Sequence, residues 1–342
     1  MSHNPENHPE DYRSFCPKLK QYFENGTDEE MNEIIGFTKE KVIGCLLGLA
    51  VGDAKGMPAE SKSIAEADIV ADTFDYIPGY LPAGHYTDDT HHAILLAESM
   101  LQEEGFNPRT FLKTLCSLDL KRGIGPTTYK ALQKFLAGDD PESTGSYTET
   151  NGSAMRIAPI AILYHYDMTA LREAVIESTV VTHKSNVSVA GALTIAFAIA
   201  YMLNHDGDVV DEEMFLSELS EFVKPYSPEL SEMLEGKCQL PPRVGCGVVE
   251  SVPHAIHSFL KSPNNYQDVV ADAIRGAGDA DTVAAMAGAV AGALNGFKNI
   301  PPDWINGLEN NEKGRDYIIA IAEKLYELSL KKEEKFTNLQ NE

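Results

Sequence analysis

Positive charge is scarce in this chain: 28 Lys and Arg side chains face 52 Asp and Glu, a formal net charge of -24. A field of that sign repels phosphate backbones and anionic lipid surfaces, so no nucleic-acid partner and no membrane partner is expected. Cysteine is sparse too. Cys16, Cys45, Cys116, Cys238 and Cys246 are odd in number and widely scattered, which excludes a disulfide framework or a zinc knuckle and fits a reducing cytoplasm. No charged start followed by an apolar core opens the sequence, as a secretory signal would. The most apolar run, residues 187–203, is short for a membrane span and dense in Ala and Gly, and reads as a buried helix. Alternating strand patterns hardly occur.

What is present is helical periodicity. The 342 residues, 43% of them hydrophobic, are enough for one large domain with a substantial core. Residues 1–36 form an acidic N-terminal arm with eight acidic and three basic side chains, interspersed with Tyr12, Phe15, Tyr22 and Phe23. Thr27 followed by Glu30 predicts a capping box there. Residues 37–330 form the main domain. Ile43, Leu46, Leu47, Ala50 and Val51 share one helical face, as do Ala93, Leu96, Ala97, Met100 and Leu101. Further helices are predicted over 157–164, 171–181 and 283–294, the last rich in Ala and Gly. The fold class is therefore all-α, and residues 331–342 are expected as a charged, frayed tail.

Two acidic clusters carry the chemistry: Tyr86-Thr87-Asp88-Asp89-Thr90 and Gly278-Asp279-Ala280-Asp281-Thr282. Each borders a predicted helix. Asp88, Asp89, Asp279 and Asp281, with Thr87 and Thr282, offer hard oxygen donors and no thiolate, which suits magnesium, manganese or calcium. Without ions, so many like charges in one pocket raise one another's pKa. Either cluster alone is explained equally well by N-capping. His91 and His92 read as solvated helix residues rather than ligands.

The chain resembles the ADP-ribosylglycohydrolases, the ADP-ribosyl-acceptor hydrolases that include the dinitrogenase-reductase-activating type. The resemblance runs through Gly44-Cys45-Leu46-Leu47-Gly48, Gly52-Asp53-Ala54-Lys55-Gly56-Met57-Pro58-Ala59-Glu60 and Thr87-Asp88-Asp89-Thr90. It continues through Asn151-Gly152-Ser153-Ala154-Met155-Arg156, Thr182-His183 and the Asp279 cluster, in family order, from about Val42 to Leu328.

The resemblance implies a compact multi-helix fold with two magnesium or manganese ions in a central cleft. Thr87, Asp88 and Asp89 would hold them from one side, and Asp279, Asp281 and Thr282 from the other. Glu60, Asp88 and Asp281 would be the catalytic carboxylates, with Glu60 stabilising charge on the sugar and managing protons as an acidified water attacks the anomeric carbon. Asn151, Gly152, Ser153, Met155, His183, Gly123 and Gly125 would contact the ADP-ribose. One departure stands out: Gly123 lies where many arginine-directed relatives carry an Asp, and Asp119 is the nearest upstream carboxylate. The expected activity is removal of ADP-ribose from modified protein side chains, with arginine the expected linkage. Some relatives with an added arm are immunity proteins against ADP-ribosylating toxins, so residues 1–36 suggest a toxin-binding element, or else a flap on the domain itself. The alternatives are a catalytically silent member of the family that binds ADP-ribose or only a partner, and a binuclear phosphoesterase.

Overall fold

The computed structural model describes residues 16–24, 36–207, 209–276 and 278–340. Seventeen α-helices follow one another among them, with no sheet. The first nine are α1 Pro17–Glu24, α2 Lys39–Gly56, α3 Ile64–Asp72, α4 Asp88–Glu103, α5 Pro108–Leu115, α6 Pro126–Leu136, α7 Pro141–Thr144, α8 Ala158–Tyr164 and α9 Met168–Val180. There follow α10 Asn186–Asn204, α11 Glu212–Val223, α12 Pro228–Leu234, α13 Val248–Lys261, α14 Tyr266–Ile274, α15 Ala280–Asn295, α16 Pro302–Gly307 and α17 Arg315–Gln340. Two isolated β-bridges, Ser146 to His183 and Thr150 to Gly247, tie loops together beside the site.

The centre is the pair α2 and α15, both buried on every face. Their contact follows from small residues at every fourth position, which line up as one ridge along a helix. Gly44, Gly48, Gly52 and Gly56 meet Gly292, Gly288, Ala284 and Ala280, and a Cβ on any of the four glycines of α2 would fall within 3.0 Å of the facing backbone. The seam positions the chemistry, because α2 runs straight into Glu60 and α15 starts immediately after Asp279. α2 and α10 are each long and apolar enough to cross a membrane, but both are packed inside the protein, so residues 187–203 are buried helix as expected.

Two lysines tie the ends of α2 to its surroundings. Lys41 Nζ donates to the carbonyls of Met202 (3.1 Å) and His205 (2.6 Å), closing the C-terminus of α10. Lys55 Nζ donates to the carbonyls of Thr73, Phe74 and Asp75 at 2.9, 3.0 and 3.0 Å, and lies 4.6 Å from the ring centre of Trp304. Trp304 in turn donates its indole N–H to Phe74 O at 2.6 Å.

At the termini the structure departs from expectation in one place. Residues 331–340 continue α17 instead of fraying. They have partners that sequence spacing does not reveal: Phe336 packs on Tyr166 with ring centres 5.5 Å apart, and Glu333 lies 4.0 Å from His165. The capping box at Thr27 and Glu30 lies outside the described residues. The described part of the arm, α1, lies on the domain itself: Leu19 is fully buried, Tyr22 Oη donates to Glu323 (2.7 Å), and Lys18 Nζ donates to Asp316 O (2.8 Å).

Candidate active site

Folding brings the two acidic clusters together. Asp53, in the last turns of α2, does much of this. It is fully buried and accepts from the N–H groups of Thr87 (2.9 and 3.0 Å) and Thr90 (3.0 Å) and from the Thr90 hydroxyl (2.6 Å). A carboxylate from one helix thus satisfies the open amides at the N-terminus of another, docking α4 on α2. On the other side, Ser61 N donates to Gly278 O at 2.8 Å, which holds the turn bearing Glu60 against the Asp279 loop.

A clamp of opposite charges supports the first cluster from behind. Arg122 donates bidentately to Glu309 at 2.5 and 2.9 Å and also to Tyr86 O at 2.7 Å, while Tyr86 N donates to Glu309 at 3.2 Å. Arg122 and Glu309 are both buried. The pair therefore fixes Tyr86, the residue before Thr87, to the loop that carries Gly123.

The resulting cavity, about 580 Å³, is lined by Glu60, Asp88, Asp89, Asp279, Asp281 and Thr282. Gly123, Gly125, Asn151, Gly152, Met155 and His183 line it too, with Tyr80 and Cys246 among others. Twelve of the fourteen residues expected at the site therefore share one cavity. The other two are not on its wall. Thr87 is buried as the N-cap of α4, its hydroxyl accepting from Asp89 N (3.3 Å) and donating to Asp89 Oδ2 (3.0 Å), so it lies against a carboxylate of the cluster. Ser153 is buried with its hydroxyl 3.4 Å from Ser188 O, because the turn that exposes Gly152 points the next side chain inward.

N-capping does not account for the second cluster. Asp279 precedes α15 but makes no side-chain cap bond, and its carboxylate accepts instead from Asn151 Nδ2 at 2.6 Å. Asn151 also donates to Ser251 (3.1 Å), so its amide is fully engaged in orienting Asp279. His91 and His92 are buried, not solvated, because α4 is packed on the faces that carry them. His91 Nδ1 accepts from Asp119 N at 3.3 Å, and burial holds its pKa down at about 4. Asp119 caps the turn over 120–122 and is not on the cavity wall, so it does not stand in for a carboxylate at Gly123. Gly123 itself has φ +103°, a region that disfavours any side chain, and a Cβ there would lie 2.8 Å from Asp88 Oδ1.

The electrostatics are those of an uncompensated acidic cluster. Among the described residues no Lys or Arg lines the cavity. Burial, then Asp53, pushes Asp88 up to about 7, and burial pushes Asp53 up to about 6. Asp89 and Asp281 are driven well above the ordinary carboxylate range by burial and by neighbouring aspartates. Glu60 is raised by burial, then by Asp279 and Asp53. Oxygens of Glu60, Asp279 and Asp281 lie within 4.8 Å of one another, and Asp89 Oδ1 is buried with no hydrogen-bond partner among the described residues. An all-oxygen donor set of this kind, with an orphaned buried carboxylate oxygen, fits a hard divalent cation.

Residues 37–335 match the model of the family described as ADP-ribosylglycohydrolase. The chain belongs to that family. It is 35% identical over 310 residues to an uncharacterized protein of Archaeoglobus fulgidus, covering 86% of this chain and 98% of that one. It is 29% identical over 307 residues to the ADP-ribosylarginine hydrolase Tri1 of Pseudomonas putida (84% and 78% covered) and 27% identical over 327 residues to human ADP-ribosylhydrolase ARH3 (79% and 89%). Among solved structures it is similar to an "ADP-ribosylglycohydrolase-related protein complex", with a TM-score of 0.71 and 28% identity over 85% of this chain and 98% of that chain. Family and relatives together support hydrolysis of ADP-ribosyl conjugates.

Asp53 is the site residue that sequence reasoning missed, although it sits inside a quoted motif. Its signal is an aspartate within an otherwise apolar helix, a position where a carboxylate needs a partner. Arg122 and Glu309 were missed as well; 187 residues separate them, and no local pattern joins them.

Proposed function

We propose that this protein is a hydrolase that uses two magnesium or manganese ions to release ADP-ribose from arginine side chains of modified proteins, in a reducing cytoplasm. The observation that carries the reading is the convergence of Asp88, Asp89, Asp279, Asp281 and Glu60 on one cavity that no Lys or Arg lines among the described residues. Asp88, Asp89, Asp279, Asp281 and Thr282 would hold the ions, which when bound would offset the carboxylate charge, orient ribose hydroxyls and make water more acidic. Asn151 holds Asp279 in place, and His183 and the Gly152 turn form the wall along which the rest of the nucleotide lies. Glu60, raised by burial and then by Asp279 and Asp53, is the carboxyl group placed to manage a proton and to face the positive charge that develops on the sugar.

One feature favours arginine as the acceptor: a relative is named an ADP-ribosylarginine hydrolase. Incubation with arginine-linked and serine-linked ADP-ribosyl proteins, in magnesium and then with chelator, should release ADP-ribose from the arginine linkage only while metal is present. Release from serine alone would overturn the acceptor assignment, and chelator-resistant turnover the metal assignment. Glu60→Gln should reduce turnover at least a hundredfold while ADP-ribose still binds; full turnover would remove the role given to Glu60. The packing of α1 on α17 favours a covering role for residues 16–24 over capture of a toxin.

A further inference from the structure

His183 reaches the cavity with one ring edge and is held from behind by the other. A Cβ on Gly152 would lie 2.9 Å from His183 Nε2 and 3.0 Å from Cε1, so this edge borders the Gly152 turn on the cavity wall. On the far edge, Nδ1 lies 2.7 Å from Thr182 Oγ1. Which of these two atoms holds the hydrogen decides what His183 offers a ligand. A neutral imidazole donates from one nitrogen and accepts at the other.

The surroundings of Thr182 Oγ1 resolve the choice. Arg156 Nη2 donates to it at 2.7 Å, and a guanidinium never accepts, so one lone pair of the hydroxyl is taken. The hydroxyl hydrogen has two destinations within reach: His183 Nδ1 at 2.7 Å and Thr179 O at 3.4 Å. Thr179 O already accepts from His183 N (2.8 Å) and Thr182 N (3.1 Å), which fills both of its lone pairs. The short contact to Nδ1 is therefore the O–H···N bond, and the ring hydrogen sits on Nε2. Burial, then the Arg156 charge, holds the His183 pKa down at about 3, so the ring is neutral across the physiological range. Arg156 is itself fully buried, its Nη2 also donating to Ser178 O at 3.0 Å.

We infer that Thr182, oriented from behind by Arg156, is a positioning residue that locks His183 as the Nε2–H tautomer, giving the cavity wall a fixed donor for a ribose or diphosphate oxygen. Two neighbouring donors are committed: the Asn151 amide to Asp279 and Ser251, and the Tyr80 hydroxyl to Arg122 O at 3.1 Å. In a cavity crowded with carboxylates, a neutral donor that cannot switch to an acceptor gives an oxygen-rich ligand a defined place to bind. The class of ligand rests on the function proposed above; the tautomer does not.

Ring ¹H–¹⁵N correlation spectra of histidine-labelled protein test the lock directly, with His183→Asn used to assign the signal. Wild type and Thr182→Ser should show the Nε2–H pattern, and Thr182→Val, nearly the same shape without the hydroxyl, should lose it. ADP-ribose should bind Thr182→Val up to about tenfold more weakly, the range of one hydrogen bond, with Thr182→Ser restoring wild-type affinity. A merely structural threonine would lower the melting temperature in the valine variant and leave the tautomer alone. An Nδ1–H pattern in wild type, or an unchanged Nε2–H pattern in Thr182→Val, overturns the lock. Unchanged affinity despite a lost pattern overturns the donor role. Failure of wild type to bind ADP-ribose while its Nε2–H pattern is intact counts against the proposed function and not against the lock.

Discussion

Gly52→Ala tests whether the glycine seam sets the geometry of the site. Gly52 lies in α2, one residue before Asp53 and facing Ala284 of α15, itself one turn past Asp281. A Cβ on Gly52 would overlap the Ala284 carbonyl oxygen and sit 2.7 Å from its carbon, where ordinary contact begins at 3.4 Å. The obstacle is backbone on both sides, so no rotamer change relieves it and the two helices must part. Overpacking of this kind costs about 1–3 kcal/mol, and a rigid seam places it at the upper end. Alanine returns roughly 1 kcal/mol through helix propensity. The net is a loss of about 2 kcal/mol, or roughly 3 °C in melting temperature for a chain of this length. Turnover should fall more steeply than stability, on the order of a hundredfold, because separating α2 from α15 moves Asp53 and Glu60 away from Asp279 and Asp281. Differential scanning calorimetry and ADP-ribose release measure the two effects. Gly125→Ala, where an added Cβ meets nothing within 4 Å, serves as the stability control. A Gly52→Ala protein as stable as wild type and equally active would refute the reasoning.

The other predictions concern charge. Glu309→Ala strands the buried Arg122 guanidinium and should cost about 3–5 kcal/mol in a denaturant titration; a loss below about 1 kcal/mol would show that the clamp is not stabilising. For the acidic cluster, Asp53 and Asp88 rise from 3.8 to about 6 and about 7 on folding. The folded protein therefore binds more protons than the unfolded chain between those limits, and metal-free stability should fall as pH rises from about 4 to about 7. Magnesium should then raise the melting temperature more at pH 7.5 than at pH 5, and an equal effect at both values would contradict the cluster's assignment.

Helical periodicity was enough to read the elements that surround the site, because α2, α4, α8, α9, α10 and α15 each present apolar or small residues at helical spacing. The aspartate clusters were legible as candidate donors from their chemistry, but their meeting in space was not, since periodicity carries no information about contacts between distant segments. Ser153 and Thr87 lie off the cavity wall for a related reason: side-chain type shows what a group can do, and only the local turn decides which way it points. His91 and His92 looked solvated because they adjoin charged residues, whereas the packing around α4 buries that part of the helix. The bidentate partnership of Arg122 with Glu309 left no trace in the sequence, being set by tertiary packing alone.

Trp304 is the only tryptophan in the chain, and it is nearly fully buried where the Lys55 ammonium meets the carbonyls of residues 73–75. Its emission is thus an intrinsic optical probe of that junction, free of background from any other indole. Opening of the segment that runs from α3 toward Tyr80 and the cavity would withdraw the Phe74 carbonyl from the indole N–H and uncover the ring, so ligand-induced rearrangement there can be followed in real time without labelling.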